Sequence, residues 1–203
     1  MEIERINTYT DDRFSEKVLH QHGCFLIDGE PFEVEILSDF EAVVRGKDQN
    51  SYAELIERFR FYTPHITKFY DSGEKVIKEY PAVPVFQIKV GQIQPSQFFV
   101  DEEKIAAIRS FIHDPQDIII QVTPWQGHWL SLDGHTRLYY AVWNGWDTVR
   151  AVEAETDGAV LGFAREAQRR NIHSPKDMKL VSHSKYEEKW NRFCDEYLSD
   201  MDE

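Results

Sequence analysis

The chain is poor in several things, and each shortage closes off a class of protein. Its 203 residues include only two cysteines, Cys24 and Cys194, far apart and in no metal-binding spacing. That leaves a cytoplasmic protein with reduced thiols as the expectation. No apolar run approaches the roughly 20 residues that cross a bilayer, so no membrane partner is expected. Met1-Glu2-Ile3-Glu4-Arg5 carries acidic residues where a signal peptide has a basic region. Positive charge is scarce as well: 23 Lys and Arg stand against 36 Asp and Glu, a formal charge of −13. Non-specific binding to nucleic acid runs on cationic side chains that displace counterions, so a nucleic-acid partner is disfavoured. Arg165, Arg169, Arg170, Lys176 and Lys179 are the nearest thing to a basic patch, and they read as a solvated helix face. There is neither an internal repeat nor a low-complexity linker.

What is present suits a globular chain. Apolar residues make up 41% and aromatics 13%, ample material for a core. The pattern divides into three segments. Residues 1–84 form a β-rich extension. Cys24–Ile27, then Asp28-Gly29, then Phe32–Leu37 reads as a hairpin whose second arm alternates apolar and acidic residues. Glu41–Arg45 reads as a third strand. Ser51 reads as the cap of a helix through Tyr62, with Glu54 completing a capping box. His65–Tyr80 reads as a second hairpin turning at Asp71-Ser72-Gly73.

Residues 85–155 follow the order β-α-β-β-α-β. Val85–Val90 is a strand and Ile93–Val100 is irregular, broken by Pro95. Asp101 caps a helix to Ile112, along which Ile105, Ile108 and Ile112 share a face. Strands follow from Ile118 and over Trp129–Leu132, joined by a turn at Trp125-Gln126-Gly127-His128. A helix over Thr136–Asn144 ends at Gly145, and Thr148–Ala154 is the last strand. Residues 156–203 are helical: Ala159–Asn171, a helix opened by Ser174-Pro175, and an amphipathic helix whose stripe of Tyr186, Trp190, Phe193, Cys194 and Tyr197 docks on the domain. The acidic ending from Asp200 to Glu203 reads as a frayed tail.

The chemistry concentrates at Asp133-Gly134-His135-Thr136-Arg137, where a strand runs into a tight turn and then a helix. Gly134 allows an unusual backbone angle or a close ligand approach. The helix start offers free N–H groups and the positive end of its dipole to an anion. Thr136 can cap the helix or donate its hydroxyl, and Arg137 is a planar cation suited to phosphate. Leu138–Trp143 is apolar nearly all round, so the helix is expected to be buried with its polar residues confined to the first turn. Spacing alone leaves two readings open: an anion site, or an Asp133–Arg137 pair that closes the helix start. Trp125, His128 and Trp129 read as core or loop cover. His20-Gln21-His22 lacks a third ligand, and His173 and His183 read as surface residues.

These residues resemble the ParB/sulfiredoxin superfamily. Its members have a strand, a Gly-x-x-Arg turn and a buried helix, here Gly134-His135-Thr136-Arg137, preceded by a short strand, a Pro-containing turn and a helix, here Ile88–Ile112. The resemblance covers about a third of the chain. It implies an α+β fold with a ParB/sulfiredoxin-like mixed-sheet core in 85–155, carrying the N-terminal β-rich extension and the C-terminal helices. It also implies that the turn binds nucleotide phosphates. Sulfiredoxins carry a catalytic cysteine after the glycine, where this chain has His135. They hold phosphate with a lysine early in the preceding helix, and Lys104 stands at the similar place; it reads equally as a surface lysine neutralising Glu102 and Glu103. Chromosome-partition members have Glu-Arg where this chain has His135 and Thr136, and a DNA-binding region for which the C-terminal segment is too short and too acidic.

The closest branch by motif is the ParB-fold free serine kinases, whose turn reads Asp-Gly-His-His-Arg and differs from this chain at Thr136. The resemblance implies a nucleotide-dependent phosphotransferase that uses ATP or ADP, or another nucleotide, with Mg²⁺, and acts on a small hydroxyl compound. Gly134, His135, Thr136, Arg137 and Lys104 would bind the nucleotide phosphates. Asp133 would be the carboxylate partner of Mg²⁺, and Asp133 or His135 would take the acceptor proton. Those kinases use a glutamate after the proline of the earlier turn as general base. Here that position is Gln97, and an amide cannot accept the proton. Asp133, His135, Asp101 or Glu102 then substitutes, or the chain binds nucleotide without this reaction, as a regulatory or interaction protein. A DNA-partition or nuclease-like role is opposed by the charge.

Overall fold

A computed structural model describes residues 1–156 and 158–201. The protein is α+β, and the chain divides into two units, Met1–Pro84 and the residues from Val85 onward. The C-terminal helical segment belongs to the second unit.

In the first unit, β1 (Ile3–Arg5), α1 (Glu16–His20), β2 (Cys24–Ile27), β3 (Glu30–Ile36), β4 (Glu41–Arg45), α2 (Tyr52–Arg60), β5 (Lys68–Tyr70) and β6 (Val76–Glu79) follow one another. The strands form one six-stranded sheet in sequence order. All neighbours are antiparallel except β4 and β5, which α2 joins by a crossover. The two-residue turn between β2 and β3 puts Asp28 at φ 49° and Gly29 at φ 83°, the twist-compatible hairpin turn. Leu55, Ile56 and Phe59 of α2 pack onto Phe25, Val34, Val44 and Phe69 of the sheet. The expected Ser51 cap is replaced. Ser51 lies in a 3₁₀ turn with helical backbone and makes no side-chain cap, and Asp48 accepts the Asn50 N–H. The helical path begins early because an aspartate at the start of that turn caps it better than the serine at its end.

The second unit comprises β7 (Val85–Lys89), β8 (Ile93–Pro95), β9 (Phe99–Asp101), α3 (Glu102–Ile108), β10 (Ile119–Trp125), β11 (His128–Ser131), α4 (His135–Trp143), β12 (Thr148–Glu153), α5 (Gly158–Arg169), β13 (Lys179–Val181), α6 (His183–Tyr186) and α7 (Arg192–Met201). Its main sheet runs β7-β12-β10-β11-β8, and β9 and β13 form a second, two-stranded sheet. Parallel pairs (β10–β12, β11–β8) alternate with antiparallel ones (β10–β11, β12–β7), so the sheet is mixed. Pro124 lies beyond the β12 pairing, where its missing N–H breaks no ladder bond.

Several expectations change here. Ile93–Val100 holds two short strands rather than an irregular stretch; Pro95 ends one of them on the parallel edge. Ser174-Pro175 opens a single 3₁₀ turn whose capping box with Asp177 satisfies its own donors, after which the chain extends into β13 beside β9. Helix α3 stops at Ile108, short of Ile112, although Ile105, Ile108 and Ile112 are all buried. Helix α4 buries one face only: Leu138 and Ala141 are inside, while Trp143 is exposed. Tyr186 and Trp190 enter the core beside Phe98, with Phe193 against it, but between α6 and α7 the helix makes a π-helical turn over Glu187–Asn191. Of the acidic ending, Asp200 lies in α7 and Asp202 and Glu203 lie outside the described residues. No helix among the described residues is long and apolar enough to cross a membrane.

Candidate functional site

The turn after β11 is built on Gly134, which has φ 84° and ψ 20°, the left-handed region. A Cβ there would lie 2.5 Å from Ile120 Cγ2 and 3.3 Å from Nε and Nη2 of Arg137. Glycine is therefore required twice, for the backbone angle and for the contact. Gly134 is also the N-cap, so α4 starts at His135, and Thr136 makes no cap; it sits half-buried in the first turn. The first-turn N–H groups have no helical acceptor.

Arg137 lies over this glycine and is held from two sides. Its Nη1 donates to the Ile119 carbonyl at 2.6 Å and its Nη2 to Asp133 Oδ2 at 3.2 Å. Asp133 is 48% exposed. The pair read from the spacing forms, and it fixes a guanidinium against the start of the helix. Two of the five guanidinium N–H donors serve these bonds.

His135 points inward and is buried. The Ser96 backbone N–H donates to its Nε2 at 3.2 Å, and the Ser96 and Ser131 hydroxyls both lie 3.0 Å from that atom. A backbone N–H can only donate, so Nε2 is the acceptor and the ring proton resides on Nδ1. Burial pushes the imidazole down from 6.5 to about 4. Asp133 opposes that shift and the charges of Arg137 and Lys104 add to it. His135 is a neutral pin between the turn after β8 and the turn after β11. The network continues inward: Ser96 Oγ donates to the Ser131 carbonyl, and buried Gln94 donates to the Pro95 and Ile172 carbonyls.

Lys104, on α3, is brought within electrostatic reach of His135. Its Nζ lies 3.4 Å from the Tyr186 hydroxyl and 4.5 Å from the centre of that ring. Gln97 is buried, and its amide donates to the Phe99 carbonyl. Trp129 packs on Phe86, and His128 is exposed at the hairpin end. Arg169 and Arg170 pair with Glu166, and Arg170 also stacks over Phe98, while the Arg169 side chain stays 79% exposed. Among the described residues no group of three or more His, Cys, Asp or Glu is placed to hold a metal. Both thiols are free, and burial pushes each up to about 12, far from a reactive thiolate. A cleft of about 560 Å³ lies at the opposite end of α4, lined by Val142, Trp146, His173 and Lys176 among others. It is remote from the turn.

Sequence reasoning missed Ser96 and Ser131. Ser96 carries no local signal because its partners, His135 and Ser131, are distant in sequence, whereas Ser131 stands four residues before His135. His183 Nδ1 lies 2.7 Å from Asp101 Oδ2, across a separation of 82 residues.

No protein-family model matches the chain, and no curated protein matches it. Among solved structures, the crystal structure of protein Atu1540 from Agrobacterium tumefaciens is similar over 47% of this chain and 61% of that one, at 14% identity and a TM-score of 0.35. This chain therefore spans less than two thirds of that protein's length, and the likeness is too distant to carry a functional argument.

Proposed function

We propose that the chain is a ParB-like nucleotide-binding protein that grips phosphate at Asp133–Arg137 and passes a phosphoryl group to a small hydroxyl compound. The observation that carries this reading is the guanidinium of Arg137 anchored against Gly134 at the open N-terminus of α4. A fixed cation and unfilled backbone donors converge there, the arrangement that binds phosphate. Lys104 adds a second cation on the neighbouring helix. Neutral His135 holds the turn in shape rather than taking a proton, since its basic nitrogen is already occupied.

A nucleotide's phosphates would bring Mg²⁺ with them, which needs few protein ligands, and Asp133 is the carboxylate available in the turn. Bound Mg²⁺ would neutralise charge on the transferring group. The chain's own part is positioning: Arg137, Lys104 and the turn hold the phosphates, and the acceptor hydroxyl needs a base.

Calorimetric titration with Mg-ATP, Mg-ADP and Mg-CTP tests the grip. Binding is expected for the parent, weakened about tenfold to a hundredfold in Arg137→Ala because a charge-assisted contact is lost. No binding by the parent, or equal binding by the variant, removes the reading. The second reading is nucleotide binding without transfer. The Gln97 amide, spent on the Phe99 carbonyl where a base is expected, favours it. Phosphate-ester formation from serine separates the two.

A further inference from the structure

Asp101 is a carboxylate sealed inside the fold, 1% exposed. One oxygen accepts the Glu103 N–H at 2.9 Å and caps α3. The other lies 2.7 Å from His183 Nδ1, on α6. Capping alone does not require a histidine from another element. The contact fixes the imidazole tautomer: Nδ1–H points at the carboxylate and the Nε2 lone pair points away from it. The His183 side chain is 47% exposed, and its Nε2 lies 3.6 Å from Glu187 Oε1. A buried carboxylate behind an exposed imidazole is the arrangement that orients a general base and stabilises the imidazolium it becomes.

Helix α3 packs on α4, and β9 touches both α4 and α6, so the dyad and the proposed phosphate grip lie on neighbouring elements. Lys104 follows Asp101 by one helical turn, and Tyr186 follows His183 by one helical turn. Those two side chains touch, Nζ to hydroxyl at 3.4 Å. The two pairs therefore lie one above the other along the seam of α3 and α6. The charge of Lys104 is felt at His135, in the turn itself.

We infer that His183, oriented by Asp101, is the general base for phosphoryl transfer, in the role that Gln97 cannot fill. This rests on the phosphate-grip reading above. In the step, the acceptor oxygen forms a bond to the terminal phosphorus of a nucleoside polyphosphate. The bond from that phosphorus to the bridging oxygen breaks, and the shortened nucleotide leaves with the electron pair. The hydroxyl proton passes to His183 Nε2 and returns to water after release. His183 is the catalytic residue; Asp101 is a positioning residue that acts through it.

The groups facing His183 are Asp101 from β9, Glu103 at 3.9 Å from α3, and Glu187 at 3.6 Å from the following turn. All are acidic, and the Asp101 hydrogen bond leads in raising the imidazole above its ordinary range. The base form therefore grows in as pH rises through that raised value, and the rate should rise with it.

The test uses the full chain with Mg-ATP or Mg-ADP and serine, homoserine or glycerol, with phosphate monoesters read by phosphorus NMR across pH. The parent is expected to form a monoester with a rate that falls on the acid side. His183→Gln should bind Mg-ATP and melt as the parent does, lose on the order of 10²–10⁴-fold in rate, and lose that acid limb. Imidazole should partly rescue His183→Ala. Without nucleotide, Asp101→Asn should lower the His183 titration midpoint seen by proton NMR. A His183→Gln variant with the parental rate and pH profile overturns the assignment. So does a parent that binds Mg-ATP yet yields no monoester, which leaves the phosphate grip standing. A parent that binds no nucleotide takes away both.

Discussion

Gly134 carries two constraints that no other residue meets together, a left-handed backbone and a missing Cβ beside Ile120. Gly134→Ala is expected to cost about 2–4 kcal/mol, from left-handed strain of order 1–3 kcal/mol and from overpacking against Ile120. Denaturant unfolding measures it, and a loss below about 0.5 kcal/mol would deny both constraints. His135 makes a different prediction. His135→Leu strands the Ser96 N–H, at a cost of about 1–3 kcal/mol near neutral pH. The sign with pH follows from the depressed imidazole. Unfolded His135 takes up a proton below its ordinary 6.5, while the folded ring resists until about 4. The parent thus loses stability across that window and the leucine variant does not, so the gap between them narrows as pH falls from 6.5 to 4. A gap that widens would mean the ring is charged in the native state. At this scale the sequence is partly legible. The glycine and arginine of the turn announce themselves by type and order. His135 looks like a catalytic group until Ser96, from the turn after β8, and Ser131, at the end of β11, enclose it.

Elements were legible where a local pattern closes on itself. The Asp28-Gly29 hairpin, the β4 strand and the Asp101 cap each depend on neighbours a few residues away. They were illegible where a distant partner decides. Strand β13 exists because β9 lies beside it, and Ser174-Pro175, a fair helix start by type, yields to that pairing. Helix–helix contact shows the same dependence. Gly162 of α5 meets Tyr197 of α7 so closely that an added Cβ would lie 1.9 Å from the phenol oxygen and 2.7 Å from Cζ. Tyr197 cannot simply swing away, since its ring packs on Phe163 and Phe193. Gly162→Ala should therefore lower the melting temperature, by several degrees if overpacking costs about 1–3 kcal/mol. In a Tyr197→Ala background the clash is gone. The same substitution should then become neutral or stabilising by up to about 1 kcal/mol, since alanine is the better helix former. Thermal melts of the four proteins decide; an unchanged penalty in the second background would place the strain elsewhere.

At the scale of the molecule, each unit has a main hydrophobic core of its own, and the first holds a smaller cluster of Ile6, Phe14, Val18, Leu19 and Cys24 as well. One main core is centred on Phe25, Leu55, Phe59 and Phe69, and the other on Ile93, Phe98, Ile120, Leu138 and Trp190. The boundary at Pro84 was read from the sequence, and it falls where Pro81 and Pro84 interrupt both sheet and helix patterns. The extent of the second unit was less legible. Its C-terminal helices look like an appendage in sequence because their apolar stripe has no local partner. In the structure Ala167, Ile172, Met178, Tyr186 and Trp190 complete the same core as Ile88 and Ile120. A core finished by its last helices cannot lose them, and every buried residue of that core lies within the chain from Val85 onward. The fragment from Val85 to the end is therefore expected to fold and melt cooperatively alone and to keep whatever Mg-nucleotide affinity the full chain has. The fragment 85–155 should instead expose the β9 edge and the face that Trp190 covers, and should collapse or aggregate. Near-ultraviolet circular dichroism and proton NMR of both fragments measure this. A well-ordered 85–155 fragment would reverse the assignment of the C-terminal helices to the core.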